Sequence, residues 1–150
     1  MWLPMIRRAI PQDIGAVARL FRRVRTTCLP FLPDLHTAAD DLAFFGRHVF
    51  RECEVWVAGA DVIEAFCAFR AGWVDHLYVD PDRHGRGLGS ALLGKAMEKN
   101  ARLKLWVFQK NAAAIRFYEA RGFRRIDATD GRANEEREPD ALLEWTRPAR

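Results

Sequence analysis

One stretch, residues 73–100, constrains the fold of this chain more than any other. It opens with an apolar run that predicts a strand over residues 73–79 and closes with apolar residues at helical spacing. Between them lies a loop with glycine at every second position, Gly85, Gly87 and Gly89. Glycine permits backbone conformations closed to other residues and lets a ligand approach the amides. A helix that begins inside this loop directs its first unpaired N–H groups at the same place, so the stretch predicts an anion-binding cradle.

Three classes of ligand use such a cradle, and the spacing separates them. A P-loop needs Lys and then Ser or Thr after its last glycine, whereas Ser90-Ala91 follow Gly89 here. A dinucleotide fingerprint needs a third glycine at position 90 and an acidic residue at the end of the next strand, which here ends Phe108-Gln109-Lys110. The first class is excluded and the second fits poorly, which leaves coenzyme A as the third.

A family resemblance supports coenzyme A. The segment His84–Gly89, with Leu77–Val79 before it, resembles motif A (Q/R-x-x-G-x-G/A) of the GCN5-related N-acetyltransferases, the GNAT family. The segment Asn111–Phe123 resembles motif B of the same family. Together the motifs span about half of the chain, and His84 departs from the usual Gln or Arg. The resemblance implies that acetyl-CoA is the acetyl donor and that it is bound by Leu77, Tyr78, Val79, His84, Gly85, Arg86, Gly87, Leu88, Gly89, Ser90, Asn111 and Phe117.

The order of predicted elements is β-α-α-β-β-β-α-β-α-β-β, which indicates an α/β fold with a single mixed sheet and helices on its faces. The 150 residues suit one domain, 1–150. Helices are expected from Asp13, from Thr37 to about Arg47, from Gly87 and from Asn111. An antiparallel pair of strands is expected over residues 54–58 and 62–70. The resemblance implies the GNAT-like acyl-CoA N-acyltransferase fold, whose sheet is mostly antiparallel. It also implies that the strands on either side of the cradle helix splay apart to admit the pantetheine arm.

Composition indicates which partners and compartments the chain is expected to have. The chain is 49% hydrophobic and 29% charged, as in soluble globular proteins, and lacks an apolar run of about 20 residues, so a cytoplasmic protein without membrane contact is expected. Its formal net charge is +4, but the arginines are scattered and no nucleic-acid signature appears, so nucleic acid is not expected as a partner. Three cysteines without C-x-x-C spacing imply neither a disulfide framework nor a metal site.

Acetyl transfer from a thioester to an amine requires a held carbonyl, a neutral amine and a proton for the leaving thiolate. Tyr118 is the candidate proton donor, because it lies two helical turns after Asn111 on the same helix face. Relatives use the motif B tyrosine in this way. The candidate bases are Asp75 and His76, which alternation sends to opposite faces of their strand, and water is a further route. Position favours Asp75, and the ordinary pKa of an imidazole favours His76.

Two segments are expected to border the acceptor. The apolar loop 26–36 should lie against the protein and contribute Phe31 and His36, with His36 as a third candidate base. The polar loop between the last two strands carries Glu135 and Glu136, which would attract a cationic amine.

The resulting hypothesis is an acyltransferase that moves an acetyl group from acetyl-CoA directly to a primary amine, expected to be a small cationic one. The alternatives are an acyl-CoA sensor without turnover and an acetyltransferase acting on protein or aminoacyl-tRNA. The last strand, with Leu142 and Trp145, would suit pairing in a homodimer and equally an ordinary core.

Overall fold

The computed structural model describes residues 5–149. Its elements are β1 (Ile6–Arg8), α1 (Ile14–Cys28), α2 (Ala38–Phe44), a π-helical turn (Phe45–Val49), α3 (Phe50–Glu52), β2 (Glu54–Ala58), β3 (Ala65–Arg70), β4 (Trp73–Val79), α4 (Leu88–Lys99), β5 (Arg102–Phe108), α5 (Ala112–Glu119), β6 (Arg124–Ala128) and β7 (Asp140–Thr146). Because α2, the π-helical turn and α3 form one continuous helix, the element order is the predicted one.

Within residues 5–149 the strands form one seven-stranded sheet of order β1-β2-β3-β4-β5-β7-β6. The pair β4 and β5 is parallel, and each of the other neighbouring pairs is antiparallel. Apolar residues of α4 and α5 pack on one face, and those of α1 and the α2–α3 helix pack on the other face over β2 and β3. The predicted mixed α/β sheet with helices on both faces is confirmed.

Local sequence explains where the helices begin. The Thr37 hydroxyl accepts a hydrogen bond from the Asp40 N–H at 3.1 Å, and the Asp40 carboxylate accepts one from the Thr37 N–H at 2.9 Å. This is the predicted capping box. The Asn111 side chain likewise accepts from the Ala114 N–H, at 3.3 Å, and starts α5.

Two predicted boundaries are wrong. The second helix continues to Glu52 rather than ending near Arg47, because Phe45 and Val49, four residues apart, are both buried in the core. The strand expected from Val62 begins only at Ala65, since the turn after Gly59 leaves Val62 exposed. None of the helices within residues 5–149 has the length and apolar character that a membrane crossing needs.

Candidate active site

The parallel strands β4 and β5 are paired at one end only. Trp73 pairs with Lys104, and the Lys104 N–H donates to the Gly72 carbonyl at 2.9 Å. No further pairing joins these two strands within the residues described, so they diverge from Trp73 onward and open a gap between them. The separation of the strands on either side of the cradle helix therefore begins near the start of β4. Asp75 supplies the reason: it is an extra residue in β4 where the register with β3 shifts, and such a bulge bends and twists its strand.

The register of β4 decides which backbone groups face this gap. The Asp80 N–H donates to the carbonyl of Glu64, the residue just before β3, at 2.8 Å. In an antiparallel ladder the bonded positions alternate, so Tyr78 also bonds toward β3 while Leu77 and Val79 turn their N–H groups toward the gap. Two strand amides are therefore free to bind an extended ligand arm along the edge of β4.

The glycine loop lies at the wide end of the gap. Gly85 and Gly87 both have φ of +79°, a left-handed conformation, and a Cβ atom at either position would meet nothing within 4 Å. The first helical hydrogen bond of α4 runs from the Ala91 N–H to the Gly87 carbonyl at 3.0 Å. The N–H groups of residues 88–90 therefore have no carbonyl one turn back, and they face an open, exposed loop at the positive end of the helix. This geometry suits a diphosphate.

The third glycine of the motif serves packing instead. A Cβ at Gly89 would lie 3.2 Å from the ring of Phe117 on α5 and 3.6 Å from the Val79 side chain. Glycine at this position allows α4 to approach both α5 and β4 closely. The predicted ligand-binding residues Phe117 and Val79 thus meet at the start of α4.

The guanidinium of Arg121, which the sequence motifs did not indicate as a site residue, lies beside Ser90 and Phe117. Arg121 donates to the Ser90 hydroxyl in the first turn of α4, with Nε 2.7 Å from the oxygen, and to the Phe117 carbonyl at 2.9 Å. Its guanidinium lies 3.7 Å from the centre of the Phe117 ring. Ser90 therefore holds a cation beside the anion cradle. Position 121 lies inside motif B, but its residue type alone gave no sign of this contact.

Tyr118 lies on the wall of the gap. Its ring is 8% exposed and packs edge-on against Phe117 and Phe123. Together with Leu77 and Asn111 it lines a small cavity of about 90 Å³ between β4, β5 and α5. Burial raises the pKa of its phenol well above the ordinary value. The hydroxyl is therefore protonated at neutral pH.

The structure separates the two candidate bases of β4. Asp75 accepts a hydrogen bond from Arg70 Nε at 2.7 Å and one from the Cys53 thiol at 3.4 Å, so its carboxylate is already engaged. His76 contributes to the wall of the 90 Å³ cavity and also to that of a much larger one. Burial lowers the pKa of His76 to about 4, so its imidazole is neutral at pH 7. Of these two residues, only His76 borders both the small cavity, where a donor would lie, and the larger cavity, where an acceptor would lie.

The larger space, here called the charged cavity, has a volume of about 810 Å³. It lies between α1, the loop 29–36, the α2–α3 helix and the loop that joins β6 to β7. Five carboxylates and three guanidiniums line it: Asp34, Asp40, Asp41, Glu135, Glu136, Arg22, Arg25 and Arg47. The excess of negative charge contrasts with the net charge of +4 on the whole chain and favours a cationic guest.

Three of the four predicted acceptor residues meet in this cavity. His36 is hydrogen-bonded to Glu135, and Arg25 of α1 approaches Glu136 at 3.3 Å, so both glutamates are held to the opposite wall. Phe31 does not line the cavity. It lies edge-on to Phe108 at 6.2 Å between ring centres, at the end of β5, because the loop turns its apolar side toward that strand.

The part of the chain that forms this arrangement matches a known protein family. The family model described as "Acetyltransferase (GNAT) domain" matches residues 51–125, half of the chain, and these residues contain β4, the glycine loop and the whole of motif B. The chain belongs to the GNAT family of acetyltransferases, which confirms the resemblance drawn from its motifs.

Three individual similarities accompany the family match. Over 63 residues the chain is 41% identical to the uncharacterized N-acetyltransferase MJ1207 of Methanocaldococcus jannaschii. This match covers 39% of this chain but only 28% of MJ1207. The chain is 27% identical over 143 residues to the peptidyl-lysine N-acetyltransferase YiaC of Escherichia coli, covering 94% of this chain and 96% of that one. The structure of yncA from Salmonella typhimurium, solved with acetyl-CoA, superimposes with a TM-score of 0.75 at 18% identity and covers 99% of this chain and 96% of that one. The last similarity concerns the fold alone.

Proposed function

We propose that this chain transfers an acetyl group from acetyl-CoA directly to a primary amine that enters the charged cavity as a cation. One observation carries the proposal: β4 and β5 separate beside the glycine loop, and the resulting gap meets the charged cavity at His76. A donor lying in the gap and an acceptor lying in the cavity would then approach each other across β4. The acetyl-CoA in the yncA structure supports the assignment of the donor.

The donor would be held mainly by backbone groups. Its diphosphate fits the amides of the glycine loop and of the first turn of α4, and its pantetheine arm fits the N–H groups of Leu77 and Val79. A strand N–H directed at the thioester oxygen would stabilise the negative charge that develops there. His84, whose Nε2 lies 3.0 Å from the Val79 carbonyl, would fix this end of the strand.

The acceptor ammonium first loses a proton to water or to His76. The neutral amine then attacks the thioester carbon, a C–N bond forms and the C–S bond breaks. Tyr118 gives its proton to the leaving thiolate, and the second proton lost by the nitrogen restores the phenol. A raised phenol pKa is compatible with this step, because the same buried site also disfavours a bare thiolate. Cys67 is fully buried and burial raises the pKa of its thiol, which favours direct transfer over an acetyl-cysteine intermediate.

The first test is ligand binding, followed by turnover. Acetyl-CoA and CoA should raise the midpoint of thermal unfolding while NADH should not, since a ligand that binds only the folded state stabilises it. A panel of primary amines with acetyl-CoA should then release CoA thiol. Stabilisation by CoA without thiol release from any amine or protein would indicate an acyl-CoA sensor instead. No stabilisation by either CoA compound would contradict the proposal.

The role of the cavity can be tested with a matched pair of variants. Glu135→Gln with Glu136→Gln should raise the KM for a cationic amine several-fold, because two attracting charges are lost. Glu119→Gln is the control: Glu119 is an exposed residue of α5 outside the cavity, and its substitution should leave that KM unchanged. Equal KM values in all three proteins would remove the two glutamates from acceptor binding.

A second candidate acceptor is the lysine side chain of a protein. The relative YiaC, which matches nearly the whole chain, is a peptidyl-lysine N-acetyltransferase. A lysine side chain presents the same cationic primary amine as a small acceptor, and the charged cavity is open enough to admit it. Mass spectrometry of a mixed protein substrate after incubation with acetyl-CoA would distinguish the two. Acetyl-lysine above the level formed without enzyme favours the protein acceptor, and a steep salt dependence of KM would agree with it.

A further inference from the structure

The wall of the charged cavity contains an irregular helical turn. In the continuous helix of residues 38–52, Phe45–Val49 form a π-helical turn, and the Phe50 N–H bonds to the Phe45 carbonyl five residues back. Such turns are rare and often occur at functional sites. Phe45 and Val49 remain buried on the core side, while Arg47 and His48 lie on the cavity side. The turn thus places a guanidinium and an imidazole in the cavity wall without exposing the core.

Arg47 differs from the other two guanidiniums of the cavity. Arg22 lies 2.8 Å from a carboxylate oxygen of Asp41 and 3.0 Å from one of Asp34, and Arg25 lies 3.3 Å from Glu136. Within residues 5–149, no carboxylate oxygen lies within 4.0 Å of the Arg47 guanidinium. Arg47, which is exposed at the cavity wall, therefore has no ion-pair partner among the residues described, whereas the other two guanidiniums of the cavity are paired.

The sequence neighbour of Arg47, His48, is linked to His76 by two ring contacts. The ring of Phe44 is 5.9 Å from that of His76 and 5.9 Å from that of His48, which lies beside Arg47 in the π-helical turn. Two such steps separate His76, where gap and cavity meet, from His48. An extended chain advances about 3.3–3.6 Å per residue, so about three residues would span the distance.

We propose that Arg47 forms a specificity subsite for a carboxylate of the acceptor, with His48 beside it. The acceptor would then carry both charges: an amine that approaches His76, and a carboxylate within about three residues of it. Amino acids with a side-chain amine and peptides with Asp or Glu close to the acetylated lysine have this chemistry. A guanidinium binds a carboxylate through two parallel N–H···O bonds, which suits such a subsite. The inference rests on the proposed transfer to an amine and adds a second recognition element to it.

The test compares two acceptors that differ only in a carboxylate, Nα-acetyl-lysine and its C-terminal amide. The wild type should show a KM about tenfold lower for the free carboxylate, with the same kcat for both. Arg47→Gln should abolish that preference by raising the KM for the carboxylate acceptor alone. A peptide pair with Glu or Gln two residues after the lysine repeats the comparison on a longer chain.

A matched control lies one turn away. Arg51 is exposed on the same helix but does not line the cavity, so Arg51→Gln should keep the wild-type preference. The subsite is refuted if the wild type shows equal KM values for both members of each pair, or if Arg47→Gln keeps the preference. In either case, acetylation of the amide acceptor still supports the proposed function. If no acceptor is turned over, calorimetric titration of the two compounds against the CoA-bound protein decides: a tighter Kd for the carboxylate that depends on Arg47 supports the subsite, and equal Kd values refute it.

Discussion

Replacing His76 with Phe should remove a pH dependence of stability that the structure assigns to this side chain. The imidazole lies among the rings of Phe21, Phe44, Phe45 and Tyr78, and burial lowers its pKa from 6.5 to about 4. Below pH 6.5 the unfolded chain binds a proton at this position, whereas the folded protein stays neutral until about pH 4. Stability from the neutral imidazole is therefore fully present above pH 6.5 and is lost as the pH falls toward 4.

The size of the effect follows from the two pKa values. A difference of one pKa unit corresponds to about 1.4 kcal/mol. The lowered pKa of His76 would therefore reduce the free energy of unfolding by about 3 kcal/mol once the folded and unfolded states are both protonated. About 2 kcal/mol of this should already be lost between pH 7.5 and pH 5. Carboxylates contribute little in that window. The hydrogen bond from Arg7 lowers the pKa of Asp13, for example, and the stability from such a group is lost only as the pH falls below its unfolded value of 3.8.

Urea unfolding at pH 7.5, 6 and 5 measures this loss directly. The wild type should lose about 2 kcal/mol of unfolding free energy across the series, and His76→Phe should lose much less while remaining folded, since an aromatic ring fits among its aromatic neighbours. His48→Gln is the control, because its side chain is 59% exposed at the cavity rim, and it should lose as much as the wild type. An equal loss in His76→Phe and the wild type would refute the reasoning.

Three further substitutions test the donor side of the site. Tyr118→Phe should lower kcat about 100-fold with little change in the KM for acetyl-CoA, because a general acid is lost and a buried ring is kept, whereas unchanged turnover would exclude Tyr118 as the acid. Gly89→Ala should raise the KM for acetyl-CoA by displacing Phe117 from its 3.2 Å contact, while Gly94→Ala in the same helix meets nothing within 4 Å and should stabilise the protein by about 0.5–1 kcal/mol in urea unfolding. If both alanine variants behave alike, close packing at Gly89 is not required. Arg121→Gln should raise the KM for acetyl-CoA about three- to tenfold with kcat retained, and an unchanged KM would confine Arg121 to a structural role.

Much of the donor side could be predicted from sequence because it depends on local backbone geometry. The glycine spacing, the strand before it and the helix after it are adjacent in the chain, so the cradle needs no distant contact to be recognised. The same holds for the Asn111 cap and for Tyr118, two turns later on one helix. Backbone donors also make the motif tolerant of side-chain changes, as the histidine at position 84 illustrates.

The acceptor side could not be predicted to the same extent because it joins residues far apart in the chain. Glu136 meets Arg25 across 111 positions, and His36 meets Glu135 across 99. Whether a charge in such a place is paired or free depends on the approach of two loops, which residue types do not reveal. Phe31 was expected to border the acceptor with the rest of its loop, and residue types did not reveal that it lies against Phe108 of β5.

The sequence by itself determined the family, through two motifs that resemble it. It also determined the order of the elements and the place of the glycine loop, because these follow from short-range periodicity and glycine spacing. Only the tertiary structure decided that β4 carries an extra residue at Asp75 and leaves β5 after a single pair. It also decided that His76 borders both the gap and the charged cavity, and that Arg47 lacks a carboxylate partner among the residues described. These features depend on strand register and on contacts between distant segments. A one-residue shift in register would send each side chain of β4 to the opposite face, and the pattern of residue types alone did not fix that register.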